Sequence, residues 1–186
     1  MNRSKRPIRR VAVFGALVAS VLLVAAPAWA HITIHPGSAT KGSFEILSFS
    51  VPNESESAST TSVEVEFPTT TPIPFVSIQP KTGWTYTVEK TTLPKPVKTE
   101  DGTITEAVST ITWTGGEIKP GEFELFTISA GPLPTKGKSI SFPTTQTYSD
   151  GEVVNWNQKT PPGGEEPESP APTLKLVKAS SGDGGH

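Results

Sequence analysis

The chain has 186 residues, 34% of them hydrophobic, a formal charge of −2 and no cysteine. The missing cysteine excludes disulfides, a lipid-anchored N-terminus, cysteine nucleophiles and every thiolate metal site, blue copper among them. The modest charge argues against an electrostatic nucleic-acid binder.

The first thirty residues read as a secretory signal peptide. Arg3, Lys5, Arg6, Arg9 and Arg10 form a basic segment, Val11 to about Ala26 is apolar, and Pro27 precedes the small-residue pattern Ala28-Trp29-Ala30. The apolar run is short for an uncleaved anchor. The Arg9-Arg10 pair leaves general secretion and the twin-arginine route both open. A cut after Ala30 removes all five basic residues and no acid, leaving 11 lysines and no arginine against 18 acids, a formal charge of −7. Such a chain suits solubility outside the cell and attracts cations, with no nucleic acid or anionic membrane surface as partner. No second hydrophobic span follows, so the mature chain is expected to have no membrane span.

From residue 31 to 158 the pattern is all-β. Val63, Val65 and Phe67 alternate with Glu64 and Glu66, and Trp84, Tyr86 and Val88 alternate with threonines, the period-two signature of strands with one wet face. Phe44 to Val51 is more apolar and reads as a central strand. Further strands are expected near 73–79, 107–114, 122–129, 138–142, 144–149 and 152–157, with Pro72, Pro74 and Pro80 placing the 73–79 strand at a sheet edge. Asp150-Gly151 predicts a two-residue hairpin turn with positive φ at both positions. Asp101-Gly102 offers the same turn inside an exposed loop marked by Pro94 and Pro96. Short strands at this spacing predict a single antiparallel β-sandwich or small barrel with a core of its own. From Lys159 to His186 the Pro/Gly/Glu-rich composition predicts a disordered tail.

Reactive groups are few. The histidines are His31, His35 and His186; no Gly-x-Ser-x-Gly elbow and no glycine-rich phosphate loop is present. After the cut, His31 carries an α-amine and an imidazole on one residue, which together close a six-membered chelate ring on a metal. Imidazole suits copper, and an amine with a pKa near ~8 gives up its proton readily. By composition alone, this chelate and an incidental histidine at the start of a strand both remain open. His35, four residues along an extended strand, lies on the same face but about 13 Å away at ~3.3 Å per residue.

Several motifs occur together and in order: His31-Ile-Thr-Ile-x-Pro36, Gly42-Ser43-Phe44-Glu45, Val51-Pro52-Asn53-Glu54 and Tyr148-Ser149-Asp150-Gly151-x-Val153-Val154-x-Trp156. In this the chain resembles the YcnI-like family of bacterial extracytoplasmic copper-binding domains over residues 31–157. The resemblance implies a cupredoxin-like β-sandwich with a Cu(II) site called a mono-histidine brace. There the N-terminal histidine binds through amine and imidazole, a glutamate supplies oxygen and a tryptophan shields the ion. Carried over, these are His31 and Glu54 as metal ligands and Trp156 beside the metal, with Glu56 open as the alternative carboxylate. Trp84 and Trp113 read as ordinary core residues. A nitrogen and oxygen donor set favours Cu(II) over Cu(I).

The implied role is copper acquisition, buffering or transfer, with copper itself and a copper-transport or copper-chaperone protein as partners, and no enzymatic activity. Two alternatives stand beside it. A copper-dependent polysaccharide monooxygenase needs a second core histidine, for which only His35 and His186 are available. A metal-free cell-wall or adhesion sandwich needs none.

Overall fold

The computed structural model describes residues 31–99, 102–161 and 163–179. The expected signal peptide, the cut after Ala30, Asp101 and His186 lie outside these residues. The described chain is all-β, in three sheets. The first sheet has the order β1 (Thr33–His35), β3 (Glu45–Pro52), β8 (Phe123–Gly131), β5 (Phe75–Ile78), all antiparallel. Packed against it is a sheet of β11 (Val153–Trp156), β10 (Thr144–Tyr148), β4 (Thr60–Glu66), β7 (Gly102–Ile118) and β6 (Thr85–Thr99), again antiparallel. A small third sheet sets β12 (Thr173–Val177) between β2 (Ser38–Thr40), its parallel partner, and β9 (Ser139–Ser141). Among the described residues no helix is long and apolar enough to cross a membrane.

The period-two pattern is what packs the two larger sheets together. In β3, Leu47, Phe49 and Val51 point inward and are fully buried, while Ser48 and Ser50 face out. In β4, Val63 and Val65 do the same between Glu64 and Glu66. Aromatic rings fill the space between sheets: Trp84 meets Phe126 edge-on at 5.0 Å, Trp113 meets the same ring at 5.1 Å, and Phe49 meets Phe142 at 5.4 Å. Burying each such side chain contributes roughly 1.5–3 kcal/mol, which is how a domain without disulfides holds together. Trp84 lies so close to β7 that a Cβ on Gly116 would stand 2.3 Å from its indole, so only glycine fits there. As expected, β5 is an edge strand, and Trp84 and Trp113 belong to the core.

Three expectations need correction. The Asp150-Gly151 turn has positive φ only at Gly151 (91°), and Thr147 pairs with Val153. Asp150 instead keeps ordinary backbone and accepts a 3.1 Å hydrogen bond from the Glu152 N–H through its carboxylate, so the connection is longer than two residues. The segment with Pro94 and Pro96 is not a loop. It is a bulge within the long β6–β7 hairpin, where the register shifts between Thr92 and Val97. β6 is an edge strand, so prolines there cost no ladder hydrogen bond.

The third correction concerns the tail. Within 159–186, expected to be disordered, residues 173–177 form β12 and bury Leu174 and Leu176. A Leu-x-Leu alternation five residues long is enough for a strand when β2 and β9 both lack a partner on that side. The ordered domain therefore runs past residue 158, to β12.

Candidate metal centre

β1 fixes the position of His31. Thr33 pairs with Ser50 and His35 with Ser48, and the same antiparallel register carried two residues back sets His31 opposite Pro52. Glu54 follows two residues later, so the start of β1 and the Val51-Pro52-Asn53-Glu54 motif meet at one end of the sandwich. The His31 ring stands edge-on to Trp156, centroids 6.0 Å apart and planes at 64°. Its side chain is only 19% exposed.

Trp156 ends β11 and is itself buried, 2% exposed. Its indole N–H donates a 3.0 Å hydrogen bond to Oε1 of Gln146, a fully buried amide on β10. That amide donates in turn to the Pro52 carbonyl at 2.9 Å and to the Thr60 hydroxyl at 2.7 Å. Buried amides need such partners, and here one side chain ties Trp156 to the end of β3. Asn53 organises the turn that follows: its Nδ2 donates to the Ala58 and Ile118 carbonyls, and its Oδ1 accepts from the Ser55 N–H. Gln146 and Asn53 were not singled out from the sequence, where an amide in a strand or after a proline carries no signal of burial.

Glu54 lines a small cavity of about 150 Å³ together with Ser55, Tyr148, Glu152, Val154, Trp156 and Ser169. Its Oε1 is buried. Glu56, the alternative carboxylate, is exposed and lines neither this cavity nor the groove beside it. The Tyr148 phenol is pushed up from its ordinary pKa, first by burial and then by the negative charge of Glu54; hydrogen bonds with the Glu54 backbone and with Thr60 pull the other way.

On its other side, His31 opens on a groove of about 910 Å³ between β1 and the third sheet. His35 and Thr33 line the same groove, with His35 Nε2 3.1 Å from the Thr33 hydroxyl on the exposed face. The His35 ring is thus turned to Thr33. Across the groove, Glu166 places Oε1 3.4 Å from His31 Nδ1. No sequence motif pointed to Glu166, because its approach depends on the path of the tail.

Among the described residues, no three His, Asp or Glu side chains gather into a ready-made metal cage. A metal centre here must take a donor from elsewhere, and the α-amine freed by a cut before His31 is one. The donor types present suit a Cu(II) ion in that case: the His31 imidazole with the Glu166 carboxylate beside it, and the Glu54 carboxylate next to the buried indole of Trp156.

Three comparisons bear on this arrangement. The profile of a family described as a domain of unknown function, DUF1775, matches residues 31–176. The copper-binding protein CutI of Bacillus subtilis (strain 168) is 29% identical over 166 residues, which cover 88% of this chain and 71% of that protein. The crystal structure of an uncharacterised protein from Nocardia farcinica, described as having an immunoglobulin-like fold, is 39% identical with a TM-score of 0.64, covering 80% of this chain and 99% of that one.

Proposed function

The chain belongs to the DUF1775 family, the YcnI-like family that its motifs resemble, and from that premise we propose that it is an extracytoplasmic protein binding Cu(II) through His31. The observation that carries this reading is the meeting of His31 and Trp156 at 6.0 Å, with the Glu54 cavity sharing the same tryptophan. Once freed, the His31 amine and Nδ1 would grip the ion as a chelate, Glu54 would supply an oxygen and part of the charge balance, and Trp156 would keep water from one face. Trp156 would keep its place through Gln146 with or without the ion. The family match starts at His31, which supports a mature chain beginning there. The copper named for CutI supports the choice of ion.

Binding of this kind serves acquisition, buffering or handover to a copper-transport or copper-chaperone protein, without catalysis. The polysaccharide monooxygenase alternative needs a second histidine on the ion, and His35 lies out on the exposed face of β1.

The test compares residues 31–186 carrying an authentic His31 N-terminus with the same chain extended by one alanine. Cu(II) titration and electron paramagnetic resonance should show weaker binding and a different spectrum for the extended chain. Equal affinities and identical spectra would overturn the chelate.

A further inference from the structure

We propose that Glu166 is a second carboxylate donor of the His31 metal centre, delivered by a clamped loop from the C-terminal segment. The inference deepens the Cu(II) reading above and rests on it.

The loop 159–169 leaves β11 two residues after Trp156 and is closed by a single residue. Gln158 donates its N–H to the Ser169 carbonyl at 3.1 Å, accepts from the Ala171 N–H at 2.9 Å, and accepts from the Ser169 N–H through its side-chain oxygen at 2.7 Å. A turn inside the loop bonds Gly164 N–H to the Pro161 carbonyl at 3.1 Å, with Gly163 at a φ of 71°. Beyond it, buried Pro170 leads into β12, whose Leu174 and Leu176 are packed in the core. Both ends of the loop are thus held, and Glu166 is presented over the start of β1.

The distance is the informative quantity. At 3.4 Å, Nδ1 and Oε1 are farther apart than the 2.7–3.2 Å of a good N–H···O hydrogen bond. A carboxylate oxygen at this distance from Nδ1 is within reach of an ion that Nδ1 would hold. Nδ1 is also the ring nitrogen that closes a six-membered chelate with the α-amine of the same residue. The Glu166 side chain is 60% exposed, so a small adjustment toward the ion would cost it little. On the groove side of His31, Glu166 would add a negative charge that helps to balance the cation.

The test uses the authentic-N-terminus chain, with Glu166→Gln set against Glu165→Gln and Glu168→Gln, two exposed glutamates of the same loop that line neither cavity. Glu166→Gln should speed Cu(II) release to a chelator roughly tenfold or more and alter the paramagnetic spectrum. Without metal, it should also shift the His31 Nδ1 resonance in nitrogen NMR. Both control variants should match the wild-type chain in all three. An unchanged release rate and spectrum in Glu166→Gln would overturn the proposal while leaving the His31 chelate standing. Equal effects from Glu165→Gln would overturn it too, because loop charge rather than a donor would then be at work. A wild-type chain that binds no better than its alanine-extended form would overturn both readings.

Discussion

The indole N–H of Trp156 is held by Gln146, and the same amide holds the Pro52 carbonyl two residues before Glu54. One buried side chain therefore sets the spacing between the tryptophan and the carboxylate motif. Gln146→Leu leaves the Trp156 N–H and the Pro52 carbonyl without this partner, while the Thr60 hydroxyl keeps its bond with Tyr148. Each unmet buried group costs about 1–3 kcal/mol, so denaturant unfolding should show a loss of several kcal/mol. The Cu(II) spectrum of the folded fraction should change as well. Wild-type stability in Gln146→Leu would mean that packing alone orients Trp156.

The carboxylate choice has its own check. Glu54 borders Trp156 in the 150 Å³ cavity, whereas Glu56 is exposed. Glu54→Gln is expected to weaken Cu(II) binding by about 10–100-fold, and Glu56→Gln to leave it unchanged in competition titrations. The reverse order would move the ligand to Glu56 and leave the His31 chelate intact.

Tyr148 predicts the alkaline limit of the fold. Burial and the Glu54 charge raise its pKa, so the neutral phenol is favoured in the folded state. Its contribution to stability is full below the unfolded phenol pKa of about 10 and is lost as pH rises through the higher folded value. In a Tyr86→Phe background Tyr148 is the one remaining tyrosine, and ultraviolet titration should show phenolate forming above the ordinary value. Adding Tyr148→Phe should abolish that step and flatten the loss of stability in this range.

The C-terminal strand should prove essential to stability. Leu174 is fully buried in β12, and Leu174→Ala is expected to cost about 2–5 kcal/mol in denaturant unfolding. Ending the chain at residue 158 should cost more, since it removes β12 and Glu166 together. A chain of residues 31–158 as stable as the longer one would contradict this.

Much of the sandwich is visible in alternation, because Val63, Val65, Phe49 and Val51 each face a core on one side and water on the other. β12 escaped notice for a physical reason: Leu174-x-Leu176 is a real period-two signal, but prolines, glycines and glutamates surround it. Composition describes a segment's average, whereas a strand needs only two well-placed side chains and two waiting edges. In the candidate site, His31 and Trp156 lie in contiguous motifs and could be read from them. Glu166 could not, since its approach depends on how Gln158 closes a loop. Gln146 was equally silent, its burial following from the pairing of β10 with β4.

The parallel pairing of Ala39 with Leu176 joins the two ends of the ordered domain. A chain made from its N-terminus must hold β2 open while everything between is synthesised, and contacts so distant in sequence form slowly. Until residue 177 emerges, the edges of β2 and β9 that face β12 stay unpaired, a template for wrong partners. Chains cut short by a stop before Glu166 would keep that open edge and lack Glu166. The last strand thus closes the third sheet only in chains that extend through residue 177.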